Sequence, residues 1–261
     1  MNISLEKKRA LVGGSSGGIG KAIAQQLAES GASVTLMSHS EEKLKKIVAE
    51  LPTNETQKHG YLVVDFSDFH GYRETIFKFF ESNSIDILVN NTQGPDAGSS
   101  LEKQTPDYQE AFNLLFKTVV YTTELALKNM KENKWGRIIN VASVSVKEPL
   151  SYLALSNTIR AAVVTWAKTL ATDVGPFNIT ANSILTGYFD TERIAQLNSK
   201  KAEQLGISED EVLADMESKV PVKRIGDPKE YGYLVAFLAS DNAAYITGTQ
   251  IPIDGGLLKS L

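Results

Sequence analysis

Residues 10–20 read Ala-Leu-Val-Gly-Gly-Ser-Ser-Gly-Gly-Ile-Gly, an apolar run that breaks into closely spaced glycines. Two chemistries fit that spacing. As Gly14-x-x-x-Gly18-Ile19-Gly20 between a strand and a helix, it is a dinucleotide loop. Small residues let the backbone approach a pyrophosphate, and the helix start supplies N–H groups and a positive dipole end. The same residues also satisfy G-x-S-x-G around Ser16, the spacing of a hydrolase nucleophile elbow. Such an elbow needs a histidine that follows both the serine and the acid. The three histidines, His39, His59 and His70, all come too early in the chain. The nucleotide reading therefore stands and the hydrolase reading falls. With no cysteine and no His-x-x-x-His pair, the chain lacks thiolate nucleophiles and the usual zinc ligands, so no metal site is expected.

The surrounding pattern supplies the elements such a loop requires. Short apolar runs at 9–13, 33–37, 61–64, 85–89, 137–141, 180–184 and 249–253 read as strands. Helical periodicity covers 19–30, 41–51, 72–81, 105–133, 150–173 and 227–240. Thr105-Pro106-Asp107 looks like a cap with a first-turn proline. Asp227-Pro228-Lys229-Glu230 adds a capping-box glutamate to the same arrangement. Residues 189–222 are polar and helix-prone without a clear core face, and read as a helical insertion over the site. Strand–helix alternation implies a parallel sheet covered on both faces, and no linker or repeat divides residues 1–261.

Composition narrows the partners. The 261 residues carry a net charge of −4 and are 42% hydrophobic, enough for one sizeable core. Basic residues are scattered, so neither nucleic acid nor a membrane surface is an expected partner. The polar start is unlike a signal peptide, and no apolar run reaches the roughly 18 residues of a spanning helix. A cytoplasmic protein acting on a small molecule is the expectation.

Further motifs carry a family resemblance. Asp65 closes the third strand, Asn90-Asn91-Thr92-Gln93-Gly94 follows the fourth, and 136–143 reads Gly-Arg-Ile-Ile-Asn-Val-Ala-Ser. Asn182-Ser183-Ile184-Leu185-Thr186-Gly187 follows, and Gly248 and Ile253-Asp254-Gly255-Gly256 close the chain. Together with the loop, these make the chain resemble the short-chain dehydrogenase/reductase family, in its β-ketoacyl-carrier-protein reductase-like branch. The resemblance spans essentially the whole chain. It implies a Rossmann-type, doubly wound sheet of seven parallel strands in the order 3-2-1-4-5-6-7. It implies a cofactor site of Gly14, Ser16, Gly18, Ile19, Gly20, Ser38, His39, Asp65, Asn91, Arg160, Gly187 and Thr191, with Asp65 at the adenine. It also implies a homodimer or homotetramer, because the family packs its closing segment, here 251–261, across a two-fold interface.

The catalytic positions depart from the family. Its tetrad is asparagine, serine, tyrosine and lysine. Ser143 holds the serine position, but the tyrosine position is Ser156, the lysine position Arg160 and the asparagine position Leu115. Asn113 is two residues away, a spacing that turns its side chain off that helical face. Gly13 replaces the usual first-turn threonine. Ser143, Ser156 and Arg160 are the remaining catalytic candidates, the latter two at i and i+4 of one helix. A serine hydroxyl is a far poorer acid than a phenol, and arginine does not release its proton. Tyr152, read as one helical turn or about 6 Å from Ser156, and Tyr188 are the phenols that could substitute. Each is more simply read as a half-buried aromatic.

The second strand ends in Ser38-His39-Ser40, without the acid that bonds a ribose 2′-hydroxyl in NAD-preferring folds. The cofactor is therefore NADP or NAD, with NADP favoured. Two functions follow. One is an NAD(P)-dependent oxidoreductase on a carbonyl or secondary alcohol, with weak or altered catalysis. The other is a nucleotide-binding sensor or partner subunit with little or no turnover.

Overall fold

The computed structural model describes residues 3–260. In chain order its elements are β1 (Arg9–Gly13), α1 (Gly18–Glu29), β2 (Ser33–Ser38), α2 (Glu41–Glu50), β3 (Gly60–Val63), α3 (Phe69–Ser82), β4 (Ile87–Asn90) and α4 (Thr105–Phe112). These continue with α5 (Thr118–Asn133), β5 (Gly136–Val141), α6 (Ala154–Val174), β6 (Ile179–Thr186), α7 (Glu192–Leu205), α8 (Glu209–Lys219), α9 (Pro228–Ala239) and β7 (Gln250–Ile253). The strands form one seven-stranded sheet in the order β3-β2-β1-β4-β5-β6-β7. Every pairing is parallel.

The order reverses between β1 and β4, so the carboxyl ends of these strands open a crevice that loops cannot cross. Side chains of β1 alternate between the sheet's faces, as the period-2 pleat requires. Ala10 and Val12 join a core with Ile23, Leu27 and Val235 under α1 and α9. Leu11 points the other way, into a core with Leu115, Met130 and Ile159 from α5, α6 and the segment before α5. Gly232 lets α9 lie directly on α1, because a Cβ there would stand 2.9 Å from the Ala22 carbonyl oxygen.

Four expectations are corrected. The helix expected over 105–133 is interrupted: Asn113–Lys117 forms a π-helical turn between α4 and α5. Just past that turn, the hydroxyls of Thr118, Thr122 and Thr123 donate back to carbonyls four residues earlier. Such back-bonding bends helices. The cap of α4 is Gln104, which forms a capping box with Asp107, so Thr105 is already helical. The helix expected from 150 begins only at Ala154, because Leu153 pairs with Gly98 in an isolated parallel bridge. The 189–222 segment does have a core face: Ala202 of α7 and Val212 and Met216 of α8 are buried, with Phe189 before α7 and Val220 after α8. No described helix is long and apolar enough to cross a membrane. No metal-ligating cluster occurs among the described residues.

Candidate functional site

The glycine loop occupies the turn from β1 to α1, and its polar side chains are engaged in bracing it. Ser15 is fully buried; its hydroxyl donates to the Val12 carbonyl at 3.0 Å and accepts from the Met37 amide at 2.9 Å. Ser38, also buried, donates to Ser16 Oγ at 2.8 Å, which ties the end of β2 to the loop. The Asn91 amide donates to the carbonyls of Gly13 at 3.1 Å and Gly14 at 3.4 Å. That contact explains Gly13: a Cβ there would collide with the Asn91 carbonyl oxygen. Gly18 has φ +51°, and Thr191, the N-cap of α7, rests its methyl group 3.2 Å from where a Cβ would be. No side chain caps α1, so the N–H groups of its first turn remain free. A diphosphate fits that cradle: close backbone, a helix start with uncapped donors, and the anion-favouring end of the dipole. Ile19 packs into the core beneath, and Gly20 is buried against Gly14.

The crevice is more open beside β2 and β3. His39 and Asp65 are exposed. Asp65 accepts from the Ser67 amide at 2.8 Å and from the Ser67 hydroxyl. Those bonds, with a smaller contribution from His39, hold its carboxyl below the ordinary value. Gly187 closes the far side, its amide donating to the Ile253 carbonyl at 3.0 Å.

The opposite bank brings Ser156 and Arg160 together at the end of β5, just before Ser143. Ser143 caps the short 3-10 turn that follows β5 and accepts from the Ser145 amide at 3.1 Å. Arg160 Nη1 donates to the Val141 carbonyl at 2.6 Å, and its Nε donates to Ser156 Oγ at 3.3 Å. Both serines thus accept a bond while their own hydroxyl hydrogens have no acceptor among the described residues, so both are free to donate to a bound oxygen. Burial pushes the Arg160 guanidinium down from its ordinary value, and the charge of Arg193 adds to this against the opposing effect of Tyr231. An arginine remains charged through such a shift.

Leu115 is buried at 2% exposure and lines a small cavity with Arg160. Asn113 is half-buried, and its side-chain oxygen accepts from Gln109 at 3.1 Å. No asparagine side chain thus comes from the π-helical turn to this bank. Tyr152 precedes α6 rather than lying on it, its backbone fixed by the Gly98 amide at 2.7 Å. Neither Tyr152 nor Tyr188 hydrogen-bonds through its phenol among the described residues. Burial raises both phenols; Lys219 eases Tyr152 downward, while Tyr188 is raised further by its proximity to Tyr152. Arg193 was not legible as a site residue. It starts α7 and reaches across the crevice to the Pro95 carbonyl at 3.2 Å. Thr92 enters the sequence reading only as part of the 90–94 motif; the folded chain sets it on the same small cavity as Arg160.

A family model described as enoyl-(acyl carrier protein) reductase matches residues 14–258. The NADPH-dependent reductase BacG of Bacillus subtilis is 33% identical, over 98% of this chain and 100% of the relative. The 3-oxoacyl-[acyl-carrier-protein] reductase FabG of Aquifex aeolicus is 31% identical, over 98% of this chain and all of its own length. Among solved structures, an L-sorbose reductase from Gluconobacter frateurii complexed with NADPH and L-sorbose superposes with a TM-score of 0.92 at 29% identity, covering 100% of both chains. The chain belongs to the short-chain dehydrogenase/reductase family.

Proposed function

We propose that the protein is an NADP(H)-dependent oxidoreductase that interconverts a carbonyl and a secondary alcohol on a small molecule, with proton delivery weaker than its fold usually provides. The observation that carries this is the Ser143–Ser156–Arg160 cluster on the catalytic bank of the crevice that holds the phosphate loop. The nicotinamide, when bound, supplies or accepts the hydride. Ser143 and Ser156 donate hydrogen bonds to the substrate oxygen. Arg160 presents fixed N–H donors to the nicotinamide ribose. Gly14, Ser16, Gly18, Ile19, Gly20, Asn91, Gly187 and Thr191 shape the diphosphate cradle, and Ser38, His39 and Asp65 border the adenosine. With no acid at Ser38 or His39, nothing there repels a 2′-phosphate, and the NADPH dependence of BacG supports NADP over NAD. Loss of a positioned general acid commonly costs about 10²–10⁴ in rate. Slow turnover is therefore the expectation.

A second reading is favoured by Leu115 and Ser156 together: a nucleotide-binding sensor or partner subunit with little or no turnover. Calorimetry with NADPH and NADH, followed by a carbonyl screen that monitors NADPH oxidation, separates the readings. Binding without oxidation of NADPH by any substrate favours the sensor. No binding of either cofactor overturns both. A homodimer or homotetramer is expected in either case, and sedimentation showing only a 28.5 kDa species would overturn that expectation.

A further inference from the structure

The arginines of this chain divide by what faces their charge. Arg9 pairs with Asp86, Arg137 with Asp241 and Arg224 with Glu230, while Arg73 lies over the Tyr121 ring. The other two, Arg160 and Arg193, have neither a carboxylate within ion-pair distance nor a ring beneath them among the described residues. Both belong to the crevice. Arg160 donates to Ser156 Oγ and to the Val141 carbonyl, and Arg193 donates through Nη2 to the Pro95 carbonyl. The remaining N–H groups of Arg193 have no acceptor among the described residues.

Arg193 stands in the first turn of α7, two residues past the N-cap Thr191. A cation there opposes the helix dipole, so helix stability does not account for it. Glu192, beside it in the chain, lies 3.7 Å from Lys43 instead. Thr191 faces the glycine loop at Gly18, whereas Arg193 reaches the loop after β4. Its Nη2 is 3.2 Å from the Pro95 oxygen and 3.8 Å from where a Cβ on Gly94 would stand. The charge of Arg193 also helps to push the Arg160 guanidinium down. Two like charges thus act on each other across the crevice with no counter-charge from the fold, and an anion bound between them relieves both.

We infer that Arg193 is a specificity-determining residue that anchors a carboxylate of the substrate, so that the protein prefers oxo acids, or the hydroxy acids they become, over neutral ketones. This rests on the oxidoreductase reading above. A planar guanidinium offers a fork of N–H donors that matches the two oxygens of a carboxylate. The carboxylate is unchanged by the reaction: the carbonyl carbon gains the hydride and its oxygen the proton. Its part is to turn the carbonyl towards Ser143 and Ser156. The cofactor diphosphate is the other anion of the crevice, and the backbone cradle at the start of α1 already provides for it.

The test compares pyruvate, acetoacetate and 4-oxopentanoate, each with its methyl ester. NADPH oxidation gives kcat and KM, and calorimetry gives NADPH affinity. Saturation-transfer NMR gives the binding of each acid and ester in the presence of NADP⁺, with which an oxo acid cannot react. The parent should favour the acid of at least one pair by about ten-fold, the size of a charge-assisted hydrogen bond, chiefly through KM. Arg193→Met should abolish that preference by raising KM for the acid, with the ester and NADPH affinity unchanged. Arg193→Lys should keep part of it. A parent that uses every ester as well as its acid, a preference that survives Arg193→Met, or an equal loss on acid and ester would overturn the anchor. Weakened NADPH with an unchanged acid-to-ester ratio would overturn it too, and assign Arg193 to the diphosphate. If no pair is turned over, the oxidoreductase reading fails, and the NMR comparison of acid with ester in the parent and Arg193→Met still decides the anchor. Binding of no acid in that comparison overturns it.

Discussion

The two banks of the crevice are built on opposite terms. On the phosphate-loop bank the polar side chains are engaged within the fold: Ser15 with Val12 and Met37, Ser38 with Ser16, Asn91 with Gly13 and Gly14. On the other bank Ser143 and Ser156 accept bonds from the Ser145 amide and Arg160 but keep hydroxyl hydrogens without an acceptor among the described residues. Among the described residues, the solvent-sealed side-chain atoms without a partner, Ser145 Oγ, Asn157 Oδ1 and Ser183 Oγ, lie on the stretch from β5 to β6. Buried polar groups are nearly always satisfied, so exceptions confined to this part of the chain call for an explanation. A diphosphate is bound by backbone, and bracing the backbone costs the site nothing chemically. A reacting oxygen must be bound by side chains, and those must remain available. The contrast teaches that the departures at Leu115, Ser156 and Arg160 fall on the bank where structure does not require particular polar residues.

The largest test of that contrast is Ser156→Tyr with Arg160→Lys. If only the acid is missing and the bank is otherwise intact, reduction of small ketones should rise by about 10²–10⁴ in steady-state assays. No gain, with NADPH still bound, would mean that the catalytic bank differs in shape as well as in chemistry. Next in size is Gly18→Val. At φ +51°, with Thr191 already 3.2 Å from a Cβ, a branched side chain both strains the loop and fills the cradle. NADPH affinity should fall about 100-fold, close to 3 kcal/mol, by calorimetry. Binding unchanged from the parent would remove the loop from the cofactor site.

Asn91→Ala sharpens the comparison from the braced side. It removes two donors from the loop carbonyls and should lower unfolding stability by about 1–2 kcal/mol, read by urea denaturation. Ser143→Ala, on the other bank, leaves only the Ser145 amide without its cap and should cost less stability than Asn91→Ala while costing more turnover. The reverse ranking would erase the distinction between the banks. The smallest effect lies outside both. Arg224 grips Glu230 with two bonds of 2.7 and 2.8 Å at the start of α9. With the Asp227 amide, it holds the Glu230 carboxyl at about 2. A depressed carboxylate stabilises the fold fully above its ordinary value of 4.5 and loses that contribution as pH falls towards 2. Glu230→Gln should therefore flatten the acid limb of the stability curve between those values and change nothing at pH 7 in the ranking of the two banks.

Much of the braced bank was legible along the chain. The glycine loop, the strand–helix alternation and the capping box at Asp227 are local features: backbone conformation, pleat and helical period are set by residues a few positions apart. The missing tyrosine and lysine were equally legible, because Ser156 and Arg160 stand at fixed distances from Ser143 on one continuous stretch. What the folded chain alone decided involves residues far apart in sequence. Leu153 meets Gly98 and so delays the start of α6, which takes Tyr152 off the helix. A π-helical turn spans Leu115, and α7 and α8 bury a face too sparse in apolar residues to be seen as periodic. Arg193 crosses to Pro95, and Thr92 comes to Arg160 across a cavity, through packing between elements that no local propensity records. Sequence determined which groups the protein has; only the packing of the sheet and its helices decided which of them are left free to act.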